Sequence, residues 1–287
     1  MADARKIIKK IGGSKRGSTR RSSSTRRRSS STRRDNRVMP RWKYITIATL
    51  ITIGTLTLAY PIIRQTLNRF TSCSGENIFG ICVPEGYSVY GVDISHHQGN
   101  INWGKLKSGE QSGPAISFAY IKATEGCSHT DTQFTNNWKA AKKHGFMRGA
   151  YHYFSTQTQG EKQARKFISL VKLEPGDLPP MIDVEEKPKD TVKYRKELKK
   201  FIETIEKHYG VKPIIYTNKK FHDRYIENHF DDYPLWIARY DVSDPGINKE
   251  WIIWQFSEDG RLPGIKEKVD INVFNGTLEE LEKLRIK

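Results

Sequence analysis

The sequence predicts an α/β protein: a modified TIM-like barrel of eight strands with five crossover helices, preceded by a single transmembrane helix. Three observations carry this reading. Eight short runs rich in β-branched and aromatic residues recur between residues 89 and 274. Helical patterns lie between the first six of them, whereas the last two connections hold Pro, Gly and Asp with no helical period. One stretch of 20 residues without a charge precedes them all.

In chain order the tail comes first. Residues 1–43 hold 16 Lys or Arg against Asp3 and Asp35, a net of +14 within a chain of +17. The high charge therefore describes a segment rather than a basic globular surface. The segment is rich in Ser, Thr, Arg and Gly and is expected to be disordered. It lacks interleaved aromatics, so it reads as a positive-inside flank contacting lipid headgroups, with no nucleic acid expected as a partner. Tyr44 to Ile63 follows (YITIATLITIGTLTLAYPII), between Trp42 on one side and Arg64 on the other. It reads as an uncleaved signal anchor with a cytoplasmic N-terminus and the remainder periplasmic or extracellular. A cleaved signal peptide, with Thr57-Leu58-Ala59 as the processing site, is the alternative. Residues 64–86 form a linker and 87–287 one domain, long enough for a single large core. Export permits a disulfide. Among Cys73, Cys82 and Cys127, the pairs Cys73–Cys82 and Cys82–Cys127 both remain open.

The eight strands are expected at Val89–Ile94, Ser117–Ala123, Met147–Phe154, Pro180–Val184, Val211–Thr217, Leu235–Tyr240, Trp251–Phe256 and Val269–Phe274. The five helices fall near Trp103–Lys107, from Asp131 as cap to His144, at Gly160–Lys172, at Thr191–Tyr209 and at Lys219–Ile226. The fourth is the clearest. Tyr194, Leu198, Phe201, Ile202, Ile205 and Tyr209 keep helical spacing and Gly210 stops it. A closing helix fits Thr277–Arg285, with Thr277 and Glu280 as a capping box. An open doubly wound sheet is the competing layout.

In a β/α barrel the C-terminal strand ends carry the chemistry. Asp183-Val184-Glu185 ends the fourth strand. Residues two apart on a strand share a side, so two carboxylates arrive together and cannot both ionise freely. Such pairs with split pKa values serve glycosidic bond cleavage. The other strand ends repeat carboxylates and aromatics, as in Gly91-Val92-Asp93, Tyr151-His152-Tyr153 and Val269-Asp270-Ile271-Asn272. Flat apolar faces beside hydrogen-bonding groups suit sugar rings. Lys122 and Glu125 read as an ion pair. His96-His97 make a poor metal chelate, because neighbours on a strand face opposite sides. Neither a metal nor a cofactor is expected.

These segments resemble the glycoside hydrolase family 25 lysozymes, the Chalaropsis-type muramidases. The resemblance rests on GVDISHHQGNINW, FAYIKATEG, RGAYHYF, PPMIDVEE, PIIYTN, PLWIARY, WIIWQFS and VDINVF, in family order from about residue 89 to 274. It implies a barrel with five helices and three final strands, without a catalytic metal. It implies hydrolysis of the β-1,4 bond between N-acetylmuramic acid and N-acetylglucosamine in peptidoglycan. Glu185 is then expected as general acid, and Asp183 as the group that orients the substrate's N-acetyl group or stabilises positive charge. Asp93 and Asp270 are expected in supporting catalytic roles, and Tyr151, Tyr153, Tyr216, Trp236 and Gln255 as the groove lining. Peptidoglycan glycan strands are the expected partner of a monomer anchored through residues 44–63. Retaining, acetamido-assisted chemistry and inversion both remain open. A non-catalytic membrane-anchored glycan-binding scaffold is the alternative function.

Overall fold

The computed structural model describes residues 40–71, 77–109 and 114–287. Most of the basic tail, residues 1–39, and Cys73 lie outside the described residues. The chain forms two compact units that divide between Thr57 and Leu58.

The first unit contains most of the uncharged stretch. Helix α1 (Arg41–Thr71) is continuous, with Pro61 inside it. Its Arg41–Pro61 portion is long and apolar enough to cross a membrane, by length and composition. The threonines do not break this pattern. Thr49 and Thr52 donate their hydroxyls to the carbonyls of Ile45 and Ala48 at 2.8 Å, and Thr46, Thr55 and Thr57 bond carbonyls three residues back. Each of these threonine hydroxyls is thus satisfied within the helix, as an apolar medium requires.

The second unit is a closed barrel. A small hairpin, β1 (Asn77–Ile78) and β2 (Ile81–Cys82), precedes it. Cys82 is disulfide-bonded and Cys127 is free, so the Cys82–Cys127 pairing is not the one formed. The eight barrel strands are β3 (Tyr90–Ile94), β4 (Ile116–Glu125), β6 (Met147–Tyr153), β7 (Met181–Asp183), β8 (Ile214–Asn218), β9 (Leu235–Ala238), β10 (Ile253–Gly260) and β11 (Val269–Phe274). A two-residue strand, β5 (His129–Thr130), folds back on the end of β4. The order runs β3-β4-β6-β7-β8-β9-β10-β11, and β11 pairs back with β3 to close the ring. Closure excludes the open doubly wound alternative. All neighbours are parallel except β11, which runs antiparallel to both β10 and β3. That reversal follows from the short return between Gly260 and Val269, which cannot make the crossover that parallel strands need; the longer loop from β9 to β10 still makes one.

Helices α2 (Trp103–Ser108), α3 (Phe134–Lys143), α4 (Gly160–Leu170) and α5 (Thr191–Tyr209) supply four of the five crossovers. The fifth, after β8, is a short α-helix α6 (Lys219–Phe221) that runs on as a π-turn through Ile226. Asp190 caps α5 through the Lys193 N–H, and Gly210 ends it with a left-handed φ of 71°. The closing helix α7 (Leu278–Lys283) carries the expected Thr277–Glu280 capping box. One start differs from expectation. Helix α3 begins at Phe134, because the buried Asp131 carboxylate accepts from the backbone of Gln133 and from both the backbone and Nδ1 of His96.

Strand parity sorts the core into two layers. Val92, Ile94, Ile121, Ile182, Val184, Ile215, Ile237, Ile271 and Val273 face the helices, packing with Leu198, Phe201 and Ile202 of α5. Phe118, Tyr120, Tyr151, Met181, Tyr216, Trp236 and Ile253 fill the barrel interior. The interior rings meet edge to face: Tyr120 and Trp236 centroids lie 4.9 Å apart, Tyr216 and Trp236 5.7 Å. Room for them comes from missing side chains across the sheet. A Cβ at Gly91 would lie 2.2 Å from the Phe118 ring, and one at Gly149 2.2 Å from the Tyr120 ring. The aromatic plug fills the lower barrel, so polar side chains of the same parity are pushed to its C-terminal mouth.

Candidate active site

Several strands deliver polar side chains to that mouth. The antiparallel pairing of β11 with β3 sets Asp270 directly opposite Asp93. The parallel register sets Tyr153, Asp183 and Tyr216 side by side on β6, β7 and β8.

The floor is a directed hydrogen-bond network. Asp93 Oδ2 accepts from Gln255 Nε2 at 2.9 Å and from Asn272 Nδ2 at 2.7 Å. Each amide is oriented from behind. Gln255 Oε1 accepts from the hydroxyls of Tyr216 at 2.8 Å and Tyr240 at 2.5 Å. Asn272 Oδ1 accepts from the Trp236 indole N–H at 3.0 Å. Three aromatic donors thus aim two amide NH₂ groups at one carboxylate. Burial raises the Asp93 pKa, and the bonds from Asn272, Gln255 and Asp270 oppose the rise. Asp270 is raised to about 9, by burial first and then by the charge of Asp93. The pair shares one proton at neutral pH. Asp93 carries the two amide donors, so the charge rests on Asp93 and the proton on Asp270.

This has a consequence for stability. Between the ordinary carboxylate pKa near 4 and about 9, folded Asp270 holds a proton that the unfolded chain has lost. Its contribution to stability therefore falls as pH rises through that window. Asp270→Asn keeps a donor toward Asp93 and removes the titration. Its unfolding free energy, followed from pH 5 to 8.5, should decline less steeply than that of wild type, by up to about 1.4 kcal/mol per pH unit. Parallel curves for the two proteins would contradict a protonated Asp270.

Asp183 and Glu185 form the other half. Asp183 is 9 % exposed, and its Oδ1 is buried with no hydrogen-bond partner. Other buried carboxylates are well supplied: Asp177 takes both Nε and Nη2 of Arg148, at 2.7 and 3.2 Å. Asp183 Oδ1 is the one buried carboxylate oxygen left bare among the described residues, a feature that calls for an explanation at a ligand site. Burial pushes the Asp183 pKa well up, the charge of Glu185 adds to it, and Lys122 opposes. Strand β7 ends at Asp183, but the Val184 N–H still bonds Tyr216 O at 2.9 Å, so the extended path continues. Glu185 stands exposed on the rim. The surrounding walls still withhold water from its carboxyl and raise its pKa, aided by Asp93 and opposed by Lys122. The next residue behaves oppositely. Burial pushes Glu186 up, but the N–H and hydroxyl of Thr156, each 2.8 Å away, bring it below the usual range. Of two adjacent glutamates, one is locked and ionised and the other is poised to hold a proton.

The remaining expected residues separate by depth. Tyr153 is half-buried at the mouth, its ring 4.9 Å beneath Lys122 Nζ, and Lys122 pairs with Glu125 at 2.7 Å as expected. Tyr151 and Tyr216 are buried, with phenols raised well above their ordinary pKa by burial first and by the nearby carboxylates, so both stay neutral donors. Trp236 and Gln255 are almost wholly inaccessible and reach the mouth through Asn272 and Asp93. Asn272 and Tyr240 were not expected. Asn272 could have been found two residues beyond Asp270, on the same strand face. His152, between two site tyrosines, faces the helices. It bonds Thr124 at 2.7 Å and Gln163 at 3.1 Å, and burial lowers it to about 4. His96 and His97 sit in a 3-10 turn with rings 4.1 Å apart, not on a strand.

Comparison with known proteins identifies the lineage. The profile of glycosyl hydrolases family 25 matches residues 92–265. The chain is 36 % identical to the YegX protein of Escherichia coli K12 over 86 % of this chain and 95 % of that one. It is 32 % identical to Lysozyme M1 of Streptomyces globisporus over 67 % of this chain and 70 % of that one. The solved family 25 glycosyl hydrolase of Bacillus anthracis superposes with a TM-score of 0.64 at 37 % identity, covering 69 % of this chain and 94 % of that chain. A closed barrel with paired carboxylates at its mouth, matched along most of its length by these relatives, makes this chain a member of glycoside hydrolase family 25.

Proposed function

We propose that the protein is a membrane-anchored N-acetylmuramidase that cleaves the β-1,4 bond between N-acetylmuramic acid and N-acetylglucosamine in peptidoglycan. The observation that carries it is the pair at the end of β7: a deeply buried carboxylate with one bare oxygen beside a rim carboxyl of raised pKa. The likeness to Lysozyme M1 supports the substrate class.

Glu185 is the general acid in this reading. Its proton passes to the glycosidic oxygen as the C1–O bond breaks, and the leaving sugar departs as an alcohol. The acetamido carbonyl oxygen of the sugar left behind attacks C1 in the same step. Asp183 Oδ1 accepts the acetamido N–H and balances the positive charge that develops on that group. Water then opens the cyclic intermediate, with Glu185 taking its proton back. The bare oxygen explains how binding sets the protonation states. Without substrate, ionised Asp183 lacks a donor, so a proton shared by the pair favours Asp183. An arriving N–H supplies the donor, stabilises the Asp183 anion and leaves Glu185 as the proton holder. The Asp93–Asp270 floor holds a fixed charge below C1, with Tyr151 and Tyr153 as neutral donors around it and Tyr216 holding Gln255 from behind.

The helix Arg41–Pro61 is the proposed anchor, with the basic residues before it on the cytoplasmic side and the barrel periplasmic or extracellular. An anchored enzyme acts on the wall nearest its own membrane, which suits remodelling. Full-length protein in detergent, incubated with purified peptidoglycan and then borohydride, should yield reduced muramic acid ends by mass spectrometry. Reduced glucosamine ends would overturn the bond assignment, and the absence of new ends would overturn the hydrolase reading.

A further inference from the structure

A second concavity opens on the same face of the barrel. It has a volume of about 350 Å³ and lies between residues 154–157, which continue β6, and residues 186–190, which continue β7 and lead into α5. Its position is tied to the reacting pair, since Glu186 on its wall adjoins Glu185 in the chain.

The charges there are unequally committed. Its three carboxylates are engaged. Glu186 is held by Thr156, Asp190 caps α5, and Glu197 accepts the Gly160 N–H at 2.9 Å and pairs with Lys200. The three lysines on the wall, Lys187, Lys189 and Lys193, are exposed, and no ion pair forms to them among the described residues. The N-terminus of α5 is already capped by the Asp190 carboxylate, so the wall's attraction for an anion comes from its lysines rather than from the helix end. A further observation points to a ligand. Tyr194 lines the cavity and is 4 % exposed, yet its hydroxyl has no hydrogen-bond partner. A buried hydroxyl without a partner costs free energy unless something else supplies one. Burial and the charges of Asp183 and Glu186 keep that phenol neutral, so it can donate.

We infer that this cavity binds a carboxylate of the substrate's peptide branch, held by the Lys187, Lys189 and Lys193 ammonium groups and the Tyr194 hydroxyl. The inference rests on the muramidase reading and names a further part of its substrate. The sugars of a glycan strand offer hydroxyls and amides, which need no free ammonium groups. The peptide carried by muramic acid bears free carboxylates, and it leaves the strand at the sugar whose linkage is cleaved. Binding there selects for peptide-bearing strands.

The test uses the full-length protein on two substrates: intact peptidoglycan and the same material stripped of peptides by an amidase, both freed of phosphate-bearing wall polymers. The triple variant Lys187→Ala/Lys189→Ala/Lys193→Ala should lose about tenfold in kcat/KM on intact strands, through KM, and nothing on stripped strands. Tyr194→Phe, which preserves the packed ring, should show the same substrate-dependent loss, about threefold to tenfold. A purely structural Tyr194 would give equal rates on both. Equal losses on both substrates, or no loss in either variant, would overturn the pocket while leaving the muramidase standing. A wild-type protein that cleaves neither substrate would remove the muramidase reading and this inference with it.

Discussion

Glu185→Gln is expected to lower kcat for peptidoglycan cleavage by about a hundredfold to ten-thousandfold, the scale of a lost general acid, while leaving the fold intact. Gln keeps the length and one carbonyl oxygen of the side chain but has no acidic proton. The leaving sugar must then depart as an alkoxide, and neither Asp93 nor Asp270 sits where it can replace the proton, since both are tied into the floor beneath. Stability at neutral pH should not fall, because the variant removes a carboxyl whose ionisation the fold disfavours. Binding to insoluble peptidoglycan, measured by co-sedimentation, should persist. The neighbouring Glu186→Gln serves as the control. It weakens charge-assisted bonds to Thr156 and so loosens a loop, but it leaves the acid in place. If Glu185→Gln turns over at near the wild-type rate, or if Glu186→Gln is the more damaged of the two, Glu185 is not the acid.

Much of this site could be read from strand parity alone. Asp93, Asp183 and Asp270 each lie between apolar neighbours that had to face the helices, so their own direction followed. Strand count and the change from helical to looped connections were enough to anticipate a barrel, and the 19-residue α5 has the bounds its apolar spacing implied. What parity cannot supply is pairing across the closure. Asp270 meets Asp93 only because β11 runs antiparallel to β3 in one register. The proton they share depends on that register, as does the place of Asn272 between Trp236 and Asp93. The depth of Trp236 was equally hidden: an aromatic on a barrel strand can stand at the mouth or plug the interior, and Trp236 plugs it against Tyr120, whose ring fits because residue 149 is glycine. Asp131 shows a different limit. It has the chemistry and position of a helix cap, but the His96 turn, 35 residues away in the chain, competes for its carboxylate and holds it.

Asp183→Asn is expected to lower kcat/KM by about a hundredfold to a thousandfold, the cost of losing one preorganised electrostatic partner in the transition state. The magnitude is less diagnostic than the pH profile. Glu185 works as an acid only while protonated, so activity falls as pH rises through its pKa. In the substrate complex an ionised Asp183 next to Glu185 makes loss of that proton harder and holds the alkaline limb at higher pH. The substituted amide carries no charge, so the alkaline limb of kcat should move to lower pH. Burial still raises Glu185 in the variant, as does Asp93, so the limb should remain above the ordinary glutamate range. The free enzyme should respond differently. There the shared proton favours Asp183, so replacing it removes a titrating group from the kcat/KM profile rather than simply displacing one. An alkaline limb of kcat at the wild-type position would mean that Asp183 is not ionised during the reaction. Its bare oxygen would then need an explanation other than the acetamido N–H.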